Sequence, residues 1–460
     1  MLVLWFAGVQ ALSVGIDLGT STTCVAYLRG DDAKDWALVP HESSSQNNKR
    51  PSLLESIVSV AEDGSITYGR QGVPMTAWKR AVGLEPQYVS WRLSPRERSA
   101  LRLDSAGRMI VSIGGREHRI SPSACSRVVL ERALQGARAH LGEPVDRAVL
   151  GVPASYLPAQ REAVAAVGRA CGLDKVQVAS EPELAAHAYG LGVADSQESL
   201  ALVVDLGGGT LDVSFVAVGG PTRTMEVVAT AGDPCLGGVD FTKTLADCLR
   251  AKGVAGDDLF DVAEAAKIRL TTRLETDVGN VTVSRRDFDE AAKPLLGRVA
   301  KCVREAAIFA GASLPGDALF PSTKGKRRKI PELGRGVRRF PRGSAPVDAV
   351  VLVGAATRMP SIQKTLSTLA GCPVKQEVDP EHAVAIGAAI RAAINDHKIT
   401  DFVVFDAYQA EVLRHFARRE RRQEEEEEEE EDDDDAMFAS LAAQIAPGAQ
   451  LVHEEEEEGR

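Results

Sequence analysis

Two stretches of this chain follow one plan. Residues 13–28, SVGIDLGTSTTCVAYL, run from an apolar strand through Asp-Leu-Gly and small hydroxylated residues into a second apolar strand. Residues 201–218, ALVVDLGGGTLDVSFVAV, repeat it with three consecutive glycines at the joint. Strand, tight turn and strand make a β-hairpin, and a buried carboxylate at such a turn is costly unless something offsets its charge. A chain that carries this arrangement twice is expected to fold around both turns and to use them as one site.

Glycine backbone reaches positive φ and comes close to a ligand, and successive N–H groups in a tight turn form a concavity that attracts anions. Gly207, Gly208 and Gly209 make one such nest, and Gly19 with Thr20, Ser21 and Thr22 makes another with hydroxyl donors added. Phosphates fit there. Acids beside phosphates repel them unless a hard cation lies between, so Asp17, Asp205 and Asp212 point to Mg²⁺ held through its waters. A triphosphate gripped between two facing hairpins is the expectation. The pattern is neither a Walker P-loop nor the dinucleotide-binding glycine fingerprint. A third element, DAVVLVGAATRMPSIQKTL from Asp348, reads as strand, Gly354, turn and helix.

Elsewhere short apolar runs alternate with helical patterns. Strands are expected at Val14–Asp17, Arg147–Val152, Leu200–Leu206, Val213–Val218 and Val347–Val353. PAQREAVAAVGRACG begins a helix at Pro158 and stops at Gly172. DPEHAVAIGAAIRAAI, from Asp379, reads as a small-residue helix able to pack closely on a sheet. The alternation gives an α/β class with mixed or parallel sheets.

The ends of the chain behave differently. The net charge of -11 is set by two acidic tracts, Glu424 to Asp435 and Glu454 to Glu458; without them 48 acids face 54 Lys plus Arg, so the remainder is mildly basic. Residues 321–346 hold nine basic residues, one acid and four prolines and read as an exposed disordered loop. Residues 409–422 read as a short basic helix, and residues 423–460 as an acidic disordered tail. The seven cysteines show no Cys-x-x-Cys spacing and are expected to be reduced, mostly buried thiols. No run of about eighteen apolar residues suggests a membrane span, and the apolar start MLVLWFAGVQAL is read as a strand extension.

Taken in order, GIDLGTSTTCVA, VPASYLPAQREA, EPELAAHAYGLG, VVDLGGGTLDVS, GGVDFTKTL and VVLVGAATRMPSIQKTL resemble the nucleotide-binding domain of the heat shock protein 70 chaperone family, from about residue 13 to 406. The resemblance implies a two-lobed, actin-like ATPase fold with duplicated ribonuclease-H-like lobes in four subdomains, closing over Mg-ATP. Lobe I would span residues 1–196, lobe II residues 197–398, and a linker-like strand with the basic helix residues 399–422. It also implies roles. Asp17, Lys79, Glu181, Asp205 and Thr210 would be catalytic, with Asp17, Glu181, Asp205 and Asp212 holding the metal through waters. Gly19, Thr20, Ser21, Thr22, Gly207, Gly208 and Gly209 would contact the phosphates, and Glu264, Lys267, Thr271, Gly354 and Arg358 the adenosine. Pro153 and Arg161 match a pair that relays nucleotide state.

The chain departs from the family pattern at Ile268, where an arginine usually stacks on the adenine, at Gly354-Ala355-Ala356, at Val239 and at Thr22. Weaker adenine binding is the expected consequence. DFVVFDAY, residues 401–408, resembles the interdomain linker, and the remaining residues are too few and too charged to form the family's peptide-binding domain. The expected function is an ATP-binding, slowly hydrolysing chaperone-type protein using ATP/ADP and Mg²⁺; the alternative is a non-catalytic nucleotide-dependent scaffold or co-chaperone regulator. Expected partners are J-domain co-chaperones and nucleotide-exchange factors, with unfolded clients met only indirectly and neither membrane nor nucleic acid. A cytoplasmic location is expected; the alternatives are the endoplasmic reticulum lumen, were the apolar start a remnant signal, and the nucleus, from KGKRRK at Lys324.

Overall fold

The computed structural model describes residues 12–41, 51–75, 78–89, 93, 101–191, 198–219, 224–319 and 343–399. The acidic tail, the linker-like strand, the basic helix and the basic loop as far as residue 342 lie outside them.

Two sheets are built on the same topology. In the first, β1 (Leu12–Leu18) forms an antiparallel hairpin with β2 (Thr22–Leu28) and pairs in parallel with β10 (Val145–Val152), which pairs in turn with β11 (Lys175–Ser180). β3 (Trp36–Leu38) and β4 (Leu53–Glu55) extend β2 on its other side. In the second, β12 (Glu198–Leu206) forms a hairpin with β13 (Leu211–Gly219) and pairs in parallel with β17 (Ala349–Val353), while β14 (Thr224–Asp233) lies beyond β13. The duplicated sequence motif is therefore a duplicated supersecondary unit. In both, the strand carrying Asp-Leu-Gly lies between its hairpin partner and a parallel strand reached by a long crossover.

The smaller pieces sit around these sheets. β5 (Val58–Val60), β6 (Ile66–Tyr68) and β7 (Val73–Met75) form one small sheet, β8 (Met109–Ile113) and β9 (Arg116–Ile120) a hairpin, and β15 (Glu275–Val278) and β16 (Val281–Ser284) another. Helices α1 (Pro122–Leu141) and α2 (Pro158–Ala170) pack with the first sheet. Helices α4 (Gly238–Ala251), α5 (Leu259–Leu270), α6 (Arg285–Ala310) and α7 (Pro360–Ala370) belong to the second core. α2 starts on Pro158, where the missing N–H costs nothing, and ends before Gly172 at φ +80, a left-handed position that glycine adopts freely.

Between the sheets lie α3 (Glu181–Ala188) and α8 (Ala383–Asn395), in a third core cluster that joins Val149 and Cys24 of the first sheet to Val203, Val216 and Val351 of the second. Every residue from Ala383 to Ala393 is buried, as expected of a helix apolar on all sides between two layers. Small residues permit the approach: a Cβ at Gly15 would lie 2.0 Å from the Ala389 nitrogen, and one at Gly387 1.7 Å from Leu184 O. α8 thus packs against β1 and α3 of the first half of the chain, although the division at residue 196 places it with the second. The helix begins at Ala383 rather than Asp379, because the Asp379 carboxylate accepts the Glu381 N–H at 2.9 Å and holds the segment in a turn.

Candidate functional site

Both Asp-Leu-Gly turns arrive at the same cleft. In the first hairpin Asp17 pairs across the ladder with Cys24, and in the second Asp205 pairs with Asp212. Cross-strand partners share a face of the sheet, so Asp205 and Asp212 set like charges side by side. The turns face one another, since a Cβ at Gly208 would stand 3.4 Å from Ser21 Oγ. Thr20, Ser21, Gly208 and Gly209 are exposed at the tips, and Gly19, Thr22, Gly207 and Thr210 are half-buried behind them. The Gly207 N–H donates to Thr210 O at 3.1 Å and closes the second turn.

Lys79 and Glu181 come into this cleft from elements 102 residues apart. The Lys79 ammonium, from a short 3₁₀ turn at Trp78–Ala81, donates to Glu181 Oε1 at 2.7 Å; the side chains are only 11% and 12% exposed. Glu181 is the first residue of α3, where the helix dipole favours a carboxylate. Burial presses Lys79 towards its neutral form, but Glu181 and Asp17 outweigh it and hold the ammonium charged well above its ordinary range.

The carboxylates behave in the opposite way. Burial, partly offset by Lys79 and reinforced by Glu181, pushes Asp17 up to about 7. Burial followed by repulsion from Glu181, Asp212 and Asp17 lifts Asp205 well above the carboxylate range. At Asp17 the attraction of Lys79 outweighs the repulsion of Glu181, so burial carries the shift; at Asp205 the repulsion of the other three acids outweighs Lys79. No group of three or more His, Cys, Asp or Glu side chains among the described residues stands close enough to hold an ion directly. Buried carboxylates set around a single ammonium fit a cation that keeps its water shell, with Asp17, Glu181, Asp205 and Asp212 as its acceptors.

The third element approaches from below the second turn. Gly354 has φ +83, and a Cβ there would stand 2.5 Å from Leu206 O and 2.8 Å from Asp205 Oδ1, so only glycine fits beneath that strand end. Arg358 donates to Asp379 and, at 3.0 Å, to Glu381 Oε2. α4 closes the side of the second hairpin. Its first amides, Gly238 and Val239, donate to Gly207 O at 2.9 Å and Gly208 O at 2.8 Å, and Gly237 packs so tightly on Gly209 that an added Cβ would lie 2.4 Å from its Cα.

On α5, Glu264 pairs with Lys267 at 2.7 Å, and Lys267 also donates to Gly238 O. Thr271 Oγ1 turns back to Ile268 O at 2.6 Å, and Arg285 caps the end of α5 by donating to Leu270 O and Thr271 O. Lys267 and Thr271 line a shallow cleft with Arg285, Phe288, Met359 and Ser361. Ile268 is 49% exposed. A Cβ at Gly238 would be 3.4 Å from both Ala356 Cβ and Lys267 Nζ, so the residues expected at the nucleoside lie beside the second hairpin.

Sequence reasoning missed five contributors: Tyr156, Gln160, Thr242, Asp379 and Glu381. The Tyr156 hydroxyl donates to Lys79 O at 2.6 Å, and Gln160 Nε2 donates to Arg80 O and Val82 O, which fixes the Lys79 turn to the start of α2. Arg161 holds the same loop by donating to Tyr156 O and Ala154 O. Asp379 and Glu381 flank Arg358, and Thr242 joins Lys267 to Glu264. Only the Asp-Pro-Glu spacing beside an arginine partner could have been suspected; Tyr156 and Thr242 gain meaning from the fold.

Fold and site together define a two-lobed α/β protein with an acidic cleft between duplicated hairpins. The family model described as "Hsp70 protein" matches residues 13–314 and 343–429. The chain is 34% identical over 428 residues to "Chaperone protein dnaK3" of Thermosynechococcus vestitus, covering 85% of this chain and 56% of that protein. It is 31% identical over 419 residues to "Chaperone protein DnaK" of Elusimicrobium minutum, covering 86% and 60%, and 28% identical over 437 residues to "Chaperone protein dnaK" of Cyanidioschyzon merolae, covering 86% and 64%. The chain belongs to the Hsp70 family, and its architecture is that family's actin-like ATPase fold. It spans 56–64% of the length of these relatives.

Proposed function

We propose that the chain binds Mg-ATP between its two hairpins and hydrolyses it slowly, as a chaperone-type ATPase. The observation that carries this reading is the convergence of Lys79, Glu181, Asp17, Asp205 and Asp212 on the gap between two facing glycine turns. Backbone N–H groups at Gly19–Thr22 and Gly207–Thr210 would hold the phosphate oxygens. Lys79, fixed by Glu181 and Tyr156, would place its ammonium against the terminal phosphate, and Asp205 and Thr210 would orient the attacking water. Hydrated Mg²⁺, when bound, supplies charge neutralisation for the phosphates and the acids alike. Catalysis of this kind is mostly positioning and electrostatic stabilisation. Glu264, Lys267, Thr271, Gly354 and Arg358 would form the nucleoside side of the site.

J-domain co-chaperones and nucleotide-exchange factors are the partners that go with this function, and unfolded clients would be engaged indirectly. No helix among the described residues is long and apolar enough to cross a membrane. Phosphate release by the purified chain, measured with and without Mg²⁺, tests the proposal. Mg-dependent release that disappears in Lys79→Ala is expected. Tight nucleotide binding without release would favour the non-catalytic scaffold instead.

A further inference from the structure

Thr242 lies one turn into α4, within GGVDFTKTL, and is fully buried. Its hydroxyl accepts from the Lys267 ammonium at 2.8 Å, and its single proton has two acceptors in reach, Gly238 O at 3.0 Å and Glu264 Oε2. Lys267 makes three contacts: Thr242 Oγ1, Gly238 O at 2.9 Å and Glu264 Oε2 at 2.7 Å. An ammonium has three donors. The protein itself therefore engages all three Lys267 donors, and Lys267 fastens α4 to α5. Glu264, with its side chain 41% exposed, is the member of this network most open to solvent.

The other end of the network is the phosphate side. Gly238, which accepts from both Lys267 and Thr242, donates its own N–H to Gly207 O, and Val239 donates to Gly208 O. A continuous path thus runs from the Glu264 carboxylate through Thr242 and Lys267 to the first turn of α4, and from there to the second hairpin. We propose that Thr242 is a positioning residue that couples α5, the nucleoside side of the site, to α4, so that the nucleoside half of a nucleotide meets a fixed wall beside the phosphate hairpin. This rests on the nucleotide-binding reading above. Removing the hydroxyl takes an acceptor from a buried ammonium and a donor from Glu264; α5 is then held to α4 in this network through Gly238 O alone, while the Gly238 and Val239 bonds to the hairpin remain.

The test is titration calorimetry of the full chain with Mg-ADP, adenosine and Mg-tripolyphosphate, for wild type, Thr242→Val and Thr242→Ser. The near-isosteric valine should weaken ADP and adenosine about tenfold, as for a buried group left without its partner, and leave tripolyphosphate within about twofold; serine should restore ADP to within about threefold. Unchanged ADP affinity in Thr242→Val overturns the proposal. So does an equal loss for ADP and tripolyphosphate, which would make the hydroxyl a purely structural contact. Wild-type protein that binds none of the three ligands overturns the nucleotide reading itself, and the coupling with it. Should Thr242→Val not fold, Thr242→Cys, which keeps the size and a weak S–H, goes through the same comparison with the same outcomes.

Discussion

Asp17→Asn should make the ligand-free chain more stable while impairing its site. The Asp17 carboxyl is moved from an ordinary 3.8 to about 7 by burial, with Lys79 opposing and Glu181 adding to the shift. Over that interval the folded chain holds a proton that the unfolded chain has released, so stability falls as pH rises from about 4 to about 7 and is unaffected below. At about 1.4 kcal/mol per pH unit the penalty above pH 7 reaches roughly 4 kcal/mol, of which an amide should recover about 1–3 kcal/mol, since it also gives up the attraction of Lys79. Urea unfolding followed by circular dichroism, without nucleotide and with the metal chelated, measures this. Wild type and variant should differ little near pH 4 and diverge progressively towards pH 8, with the variant the more stable. Addition of Mg-ATP should then raise the stability of wild type more than that of the variant. A variant less stable than wild type at pH 8, or a gap independent of pH, would refute the reasoning that the buried Asp17 carboxylate strains the ligand-free protein.

Asp205→Asn should keep most nucleotide affinity while phosphate release falls by roughly 10²-fold or more, the loss typical of an electrostatic positioning group; unchanged turnover would remove Asp205 from the catalytic set. Tyr156→Phe leaves Lys79 O without its donor, and should cost about 1 kcal/mol of stability and lower kcat more than it changes nucleotide Kd; equal activity would show that Lys79 needs no such support. Gly354→Ala must fit a side chain at φ +83 and ψ 144 against Leu206 O, and so sparsely populated a conformation alone costs about 1–3 kcal/mol; a melting temperature equal to wild type would contradict the close approach. Because Ile268 and Ala356 offer the base no hydrogen-bonding side chain, Mg-GTP should bind within about tenfold of Mg-ATP, a difference of about 1.4 kcal/mol, and strong selectivity for ATP in competition binding would contradict that expectation.

Much of this architecture is legible in the amino-acid order alone, because the decisive units are local in sequence. Each hairpin joins strands separated by three or four residues, so the apolar runs, the glycines and the acids that mark it lie within one short window. The parallel strands β10 and β17 are also visible as apolar runs, though nothing in their composition shows which strand they join. Pairing across distance is the part that sequence hides. Lys79 and Glu181 are 102 residues apart, and the residues around Lys79 carry no signal of their own; only the family resemblance singles it out. Tyr156 looks like an ordinary half-apolar loop residue until its hydroxyl is seen on Lys79 O. Thr242 looks like any helical threonine until Lys267 arrives from the next helix. The start of α8 moves from Asp379 to Ala383 because an acid whose carboxylate accepts the amide two residues on makes a turn that helix periodicity alone does not reveal.

The charge arrangement also explains why such a site should be coupled to the stability of the whole protein. Asp17 and Asp205 stand at the ends of the central strands of the two sheets, and Glu181 heads α3, which packs between those sheets with α8. Repulsion among these acids therefore acts across the layer that joins the lobes. Burial is the first cause of the upward shifts of both aspartates; at Asp205 the repulsion of Glu181, Asp212 and Asp17 adds to it and outweighs Lys79. A bound divalent cation would favour the charged form of both aspartates, so part of its binding free energy would offset the cost of burying them. On this argument a cation and the phosphates should stabilise the junction between the lobes more than either hairpin alone. Hydrogen exchange provides the check: Mg-nucleotide should slow exchange at α3 and α8 as well as at the turns, and protection confined to the turns would separate ligand binding from lobe closure.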